Sequence, residues 1–364
     1  MASAEDEGLQ KYDKMQPKSG VGEFLGHLLE NEPYLFEEAV DAQITLLVEQ
    51  VEAAQEQPEV SDESALVLYQ RMEEVKMAER RRAVSDIMYY SILNKFGVLG
   101  VNLVEPSQLH GIVNLGPTNL TALTKGVHSG EALEMVRTHL MAILGPAMPQ
   151  DSGSMYSTAA KMSKLQGAQM YAASLMFGYF LRRVDKRFQL ERSTGTLRST
   201  EETVRMLEDL FNSAEDAEMT TSDPDEAPVT SDETKAPSLK EYIESFDQEK
   251  LVETASLLSI ESVALVQEYE SVLFGNLQKL QQEMMDVVGE DATSAEDLMK
   301  RVMQAVEDEA VETLTISYAD QRRLVLEAVA FGSFLRDSES YIEMISQRDE
   351  AHQHGWVVLP LERV

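Results

Sequence analysis

Phe-Gly-x-Phe-Leu-Arg occurs twice in the sequence, as Phe177-Gly178-Tyr179-Phe180-Leu181-Arg182 and as Phe331-Gly332-Ser333-Phe334-Leu335-Arg336. Both copies lie within long stretches whose apolar residues recur with helical spacing. A glycine inside a helix costs about 1 kcal/mol relative to alanine, so a compensating contact is expected. We expect another helix to pass close to the backbone at Gly178 and Gly332. Phe177, Phe180, Phe331 and Phe334 are predicted to flank this crossing in the core.

The similarity extends well beyond these six residues. Residues 163–191 align with residues 317–345 at an offset of 154, and residues 129–145 align with residues 259–275 at an offset of 130. The sequence therefore predicts a duplication in which each copy is a helix, a loop and a long second helix. The first repeat module is predicted at 129–199, and the second at 239–347 with an acidic insertion near 280–313.

The remaining segments complete an all-α prediction of two similar helical modules. Glycine (19 residues) and proline (11 residues) are scarce and fall mainly outside the periodic segments, which favours helices. Between residues 97 and 127 the pattern predicts irregular loops with one short extended piece at 98–104. The other predicted segments are a disordered acidic lead (1–19), an N-terminal helical extension with loops (20–128), an acidic disordered linker (200–238) and a tail (348–364).

Composition excludes several kinds of function. The chain has 64 acidic and 31 basic residues, a net charge of −33, and no cysteine. The charge disfavours nucleic acid and anionic lipid, and the lack of thiols excludes disulfides and thiolate metal sites. There is no run of 18 apolar residues, so no membrane span is predicted. We find no catalytic motif and no histidine spacing typical of metal ligands, and we predict no catalytic, cofactor-binding or metal-binding residue.

One basic helix stands out against this acidic background. Residues 160–199 carry eight basic and two acidic side chains. Arg182, Arg183, Lys186 and Arg187 are the densest part, and two interpretations remain open. They form a docking face for an acidic partner or RNA, or they balance the helix dipole and neighbouring acids. No aromatic side chains of the RNA-stacking kind are interleaved with them, which favours the second interpretation.

Several longer segments resemble a plant protein family. The chain is similar to the UV-B-induced chloroplast proteins, which carry the domain of unknown function 760, over about residues 20–347. The resemblance implies a plastid-targeted protein of the chloroplast stroma, although this chain begins without a transit peptide; it implies no reaction and no catalytic residues. The segments that carry it are Gln169-Met170-Tyr171-Ala172-Ala173-Ser174, Arg187-Phe188-Gln189-Leu190-Glu191, Glu79-Arg80-Arg81-Arg82-Ala83, Ser245-Phe246-Asp247 and Arg323-Leu324-Val325-Leu326-Glu327.

Together these observations predict a non-enzymatic stromal protein that acts through contacts with other proteins, in a stress-linked or regulatory role. No cofactor is expected, and the oligomeric state is left open. Two alternatives remain. The first is an RNA- or nucleoid-associated factor that uses the basic 160–199 helix. The second is an enzyme with a carboxylate or metal site hidden between the modules.

Overall fold

The computed structural model describes residues 15–55, 63–145, 149, 151–194, 237–289 and 294–352. In this part of the chain there are thirteen α-helices and three short strands. The predicted all-α class is therefore confirmed, with one small sheet added. Most of the predicted disordered lead, almost all of the acidic linker and most of the tail lie outside the described residues.

The N-terminal region begins with a segment that is anchored to the core. The pattern assigns residues 15–19 to the disordered lead, but Asp86 accepts hydrogen bonds from the amides of Lys18 and Ser19, both at 2.9 Å. Met15 is buried as well. A hydrogen bond to a buried carboxylate stabilises backbone that would otherwise stay free. The helices that follow are α1 (Gly20–Asn31), α2 (Phe36–Gln55) and α3 (Glu63–Val98).

The loop region after α3 differs from its prediction. No strand forms at 98–104, because α3 continues to Val98 and the amide of Val104 donates to the carboxylate of Glu327 at 2.9 Å. The carboxylate of Glu327 thus accepts the hydrogen bond that the amide of Val104 would otherwise donate to a neighbouring strand. The elements of this region are β1 (Gly111–Val113) and α4 (Leu120–Lys125).

The first predicted module starts at Ser129, whose hydroxyl caps the next helix by accepting from the amide of Ala132. That helix ends at Gly145, where φ is +75°, a conformation that glycine adopts without strain. Ser163 and Gln166 form a capping box at the start of the long helix. The elements are α5 (Gly130–Leu144), α6 (Ser152–Ser157), β2 (Ala159–Ser163) and α7 (Lys164–Ser193).

The second half repeats this order with additional helices. Ser259 caps the helix that corresponds to α5, and Gly275 ends it with φ +82°. The acidic insertion is helical over most of its described length. The elements are α8 (Leu239–Glu244), α9 (Gln248–Ala255), α10 (Ile260–Phe274), α11 (Leu277–Val288), α12 (Ala295–Glu307), β3 (Thr313–Ser317) and α13 (Tyr318–His352).

A three-stranded sheet joins the two halves. Its order is β1-β3-β2, with β3 parallel to β1 and antiparallel to β2. Ala160 lies opposite Ile316 in the antiparallel pair. Each long helix is thus entered from a strand, whereas the sequence pattern predicts a loop there. The strands are short, and their partners lie about 150 residues away for β2 with β3 and 203 residues away for β1 with β3, so no local pattern marks them.

The long helices α7 and α13 cross at the two repeated glycines. A Cβ at Gly178 would lie 2.7 Å from the carbonyl carbon of Val329, and one at Gly332 would lie 2.9 Å from that of Leu175. No side chain fits at these distances, because backbone atoms cannot turn aside. Ser333 closes the crossing by donating to the carbonyl of Gly178 at 3.1 Å.

The four phenylalanines beside the glycines lie in or against the core that surrounds this crossing. Phe331 and Phe334 are buried, whereas Phe177 and Phe180 are half-buried and pack on the same core. Phe331 stacks on Tyr269 with a centroid distance of 4.4 Å. One continuous hydrophobic core contains residues from α1 to α13, so the halves share their interior rather than forming separate cores.

Candidate functional site

Two of the four predicted docking residues meet an acidic side chain of α13. Arg182 donates from Nε and Nη2 to the two carboxylate oxygens of Asp337, both at 2.9 Å. The ammonium of Lys186 lies 2.5 Å from Oδ1 of Asp337, and that of Lys95 lies 3.4 Å from Oδ2. Three cations therefore converge on one carboxylate, and we call this place, with the adjoining Ser338, the Asp337 cleft.

The other two docking residues point to different partners. Arg183 donates to the carbonyl of Glu253 near the end of α9 at 2.7 Å, which satisfies a terminal helix carbonyl. Arg187 donates to Glu191 one turn further along α7 at 2.9 Å. All four predicted docking residues are thus engaged within the chain. Their docking role stays a prediction.

Electrostatics in the Asp337 cleft reflect this convergence. Burial would raise the pKa of Asp337, but the hydrogen bond from Arg182 and the charge of Lys95 outweigh it and lower the pKa to about 2. Burial lowers the pKa of Lys95, Asp337 opposes the shift, and Arg182 and Lys186 add to it. The neighbouring His128 has its pKa lowered to about 4 by burial and by Arg182. The cleft is therefore anionic at one point and cationic around it.

A second carboxylate, Glu339, lies fully buried on α13, two residues beyond Asp337. It accepts hydrogen bonds from Tyr179 at 2.5 Å and from Arg336 at 2.7 Å on one oxygen. Its other oxygen accepts from Ser259 at 2.6 Å and from Ser262 at 2.9 Å. Burial and the charge of Glu339 raise the pKa of Tyr179. The network ties the start of α10 to both long helices, which is a structural role.

A third carboxylate, Glu327, is buried beneath the loops after α3. Its Oε1 accepts from Val104, whereas no atom of the described residues hydrogen-bonds to its Oε2. Burial raises the pKa of Glu327 to about 7, against the amide of Val104 and the charge of Arg323. Arg323 donates to the carbonyl of Gly116 at 3.1 Å. The pair holds the loops onto α13.

An open groove of about 440 Å³ lies between α12, β2 and α7. Met162 and Met170 line it on the side of the first half, and Met303 and Val306 line it on the side of the insertion. We call it the methionine groove. Methionine side chains are flexible and polarisable, and surfaces rich in them adapt to varied apolar partners.

Helix α12 extends this groove into solvent. Met299 and Met303 are 67 % and 59 % exposed, and they lie four residues apart on the face that Val306 continues inward. Towards its C-terminal end α12 is anchored through Ala305 and Val306, which form a small core of their own with Val311. Met299 and Met303 therefore leave an exposed apolar stripe on a helix whose other exposed side chains are mostly charged or polar.

The sequence pattern predicts neither the Asp337 cleft nor the methionine groove. Lys95, Asp337 and the exposed methionines were not singled out, because each belongs to an element whose neighbours are distant in the chain. A signal was present at Met299 and Met303, whose four-residue spacing continues to Val306 in a segment otherwise dominated by charge. No comparable local signal joins Lys95 to Asp337.

The part of the chain that the structure describes contains neither a metal-binding cluster nor a membrane-spanning helix. Within them, no group of three or more His, Asp or Glu side chains is arranged to hold a metal ion. No helix in the described ranges combines the length and hydropathy that crossing a bilayer requires.

Comparison with known proteins gives two matches. The model of the protein family of unknown function DUF760 matches residues 67–194. A UV-B-induced chloroplastic protein of Arabidopsis thaliana is 34 % identical over 348 residues, which cover 90 % of this chain and 76 % of that protein. No solved structure matches the chain.

Proposed function

Because the chain belongs to the DUF760 family, whose function is unknown, we propose its role from the geometry. It is a chloroplast protein with no reaction of its own, and it binds a helical segment of another protein in the methionine groove. The name of the Arabidopsis relative, UV-B-induced and chloroplastic, supports the compartment and a stress-linked role. The single observation that carries the proposal is the exposed methionine stripe of α12 beside a groove of about 440 Å³.

The charge around the groove favours a basic partner. Glu307 lines the groove, and Glu309 lies beside it in an ion pair with Lys161 at 2.7 Å. The insertion at 280–313 carries ten acidic and two basic residues. Lys161 also lines the groove and balances one acid there, so the acidic surplus comes from the insertion as a whole. Apolar side chains beside such a surplus suit an amphipathic helix with basic residues on its polar face. We therefore take such a helix as the occupant.

The alternative of RNA binding has less support. Arg182, Arg183, Lys186 and Arg187 each contact an acidic side chain or a carbonyl of the chain itself. Phosphate contacts would have to compete with these partners. The enzyme alternative places a carboxylate or metal site between the modules, and such a site would need reactive carboxylates that substrate can reach. Glu327 and Glu339 are instead buried and serve packing.

We also propose that the two halves are copies of one module, as the repeat in the sequence predicts. Ser129 donates to Asp185 at 2.9 Å, and Ser259 donates to Glu339 at 2.6 Å. Asp185 and Glu339 stand at the same offset of 154 as the glycines, and the serines stand at the offset of 130. Equivalent contacts at equivalent positions support two copies of one module, with the methionine groove formed where the insertion of the second copy meets the first.

The test is affinity capture from chloroplast stroma with three forms of the full chain. These are the unchanged protein, Met299→Glu/Met303→Glu, and the matched control Leu68→Glu/Val75→Glu on α3, whose side chains are about as exposed. We expect a protein that the unchanged chain and the control retain, and that the groove variant loses at least about tenfold, because charge in an apolar contact opposes binding. Cross-links to α12 should then identify a basic helix.

Three results would contradict the proposal. The first is a bound set that is the same for all three forms. The second is a partner lost only from the α3 control. The third is bound material that ribonuclease releases and that a change of Arg183 and Lys186 to glutamate abolishes, which would support the RNA alternative instead.

A further inference from the structure

We propose that the Asp337 cleft binds a small phosphate monoester with an apolar body, independently of the partner-binding role of the methionine groove. The cleft has a volume of about 350 Å³ between α2, α3, α7 and α13, which is within the range of small-molecule sites. Its lining combines the cations with apolar surface from Phe36, Val40 and Tyr341. Such a mixture suits a charged head on an apolar body.

The cations of the cleft exceed the acids that face them. Lys95, Arg182 and Lys186 line it together with Asp337 and Glu37, so the lining keeps one positive charge in a chain whose net charge is −33. Both oxygens of Asp337 are occupied by the fork of Arg182. Each lysine ammonium has three protons and uses one of them on Asp337. Donor capacity for a second anion therefore remains.

Ser338 supplies an independent observation that points to a ligand. Its side chain lines the cleft and is only 3 % exposed, yet no atom of the described residues hydrogen-bonds to its hydroxyl. Two other serines of α13, Ser340 and Ser346, donate to the carbonyl four residues earlier. A buried hydroxyl without a partner is unfavourable by about 1–3 kcal/mol, so an external acceptor at this position is expected.

The donors match the oxygens of a phosphate. Lys95, Lys186 and Ser338 offer three separate donors beside the Arg182–Asp337 pair, and a phosphate monoester has three terminal oxygens. Binding would also offset the unfavourable placement of Lys95, whose pKa is lowered by its burial and by the other two cations. The ester group would then lie against Phe36 and Tyr341.

The test is calorimetric titration of the full chain with phenyl phosphate and with inorganic phosphate, at constant ionic strength set with sodium chloride. We expect saturable binding of phenyl phosphate, at least about tenfold tighter than that of inorganic phosphate because of the apolar wall. Lys95→Gln should lower the affinity for phenyl phosphate at least about tenfold, and Ser338→Ala should lower it about fivefold. The control Arg187→Gln, an exposed residue of α7 outside the cleft, should bind like the unchanged chain.

The two variants separate a ligand site from a structural cluster. Ser338→Ala removes a buried hydroxyl that has no protein partner, so its melting temperature should stay equal or rise while its affinity for phenyl phosphate falls. This variant tests the proposal even if Lys95→Gln unfolds. The proposal is overturned if neither phosphate gives saturable heat, or if Ser338→Ala binds as tightly as the unchanged chain. Equal affinity for phenyl phosphate and inorganic phosphate would contradict the proposed apolar part of the ligand.

Discussion

Helices α7 and α13 make the same contact with each other at their glycines and differ in the turns on either side. Gly178 meets Val329 and Gly332 meets Leu175. In each pair the glycine contacts the residue that lies three positions before the other glycine. The contact is therefore reciprocal, as expected for two copies related by an approximate two-fold axis.

The charged residues beside the crossing do not follow this symmetry. Arg183 of α7 stands where α13 has Asp337, at the offset of 154 residues, and Ala173 stands where α13 has Glu327. Arg182 pairs across the crossing with Asp337, whereas its equivalent Arg336 pairs with Glu339 on its own helix. The reciprocal contact at the two glycines therefore stabilises the fold. The charged side chains differ between the helices, so Asp337 of the cleft has a basic residue, Arg183, as its counterpart.

The largest effect is expected where the halves are alike. Gly178→Ala and Gly332→Ala should each lower the free energy of unfolding by roughly 5 kcal/mol, because the new Cβ meets backbone that cannot rotate away, unlike ordinary overpacking at 1–3 kcal/mol. Urea denaturation checks this. Gly97→Ala in α3, with open space around the position, should be neutral or stabilising. Losses that differ greatly between the two crossing glycines would contradict the reciprocal contact.

A smaller effect is expected where the halves differ in charge pairing. Glu339→Gln should lower the free energy of unfolding by about 3 kcal/mol, because Arg336 loses its buried carboxylate partner. The equivalent change Asp185→Asn should lower it by only about 1 kcal/mol, since Asp185 accepts from the neutral side chains of Ser129 and Gln189.

The same denaturation series compares these two variants. Equal losses for Glu339→Gln and Asp185→Asn would show that the charge of Arg336 adds nothing to the network. A larger loss of unfolding free energy for Asp185→Asn than for Glu339→Gln would contradict the prediction.

How far the sequence predicts this molecule depends on how local each feature is. Both long helices follow from apolar spacing within α7 and α13 themselves, which needs no knowledge of the rest of the chain. The glycine crossing could be proposed because a helical glycine needs a reason and because it occurs twice.

The rest depends on contacts between distant residues. Strands β2 and β3 have five residues each, and their pairing joins Ala160 to Ile316. Lys95 and Asp337 lie 242 positions apart in the sequence, and only the packing of α3 against α13 brings them together. The predicted basic face illustrates the same limit, because the chain itself supplies the acidic partners of Arg182 and Lys186.

The last effect concerns Glu327, whose counterpart in α7 is Ala173, and it appears only as the pH rises. Burial raises its pKa from the ordinary 4.5 to about 7. The unfolded chain therefore loses this proton at lower pH than the folded chain, and stability falls as the pH rises from about 4.5 to 7. Glu327→Gln removes the titration, so it should unfold like the unchanged chain at pH 4.5 and be more stable by about 3 kcal/mol at pH 8. A difference that does not change between these two pH values would mean that Glu327 is already ionised in the fold, held by Arg323.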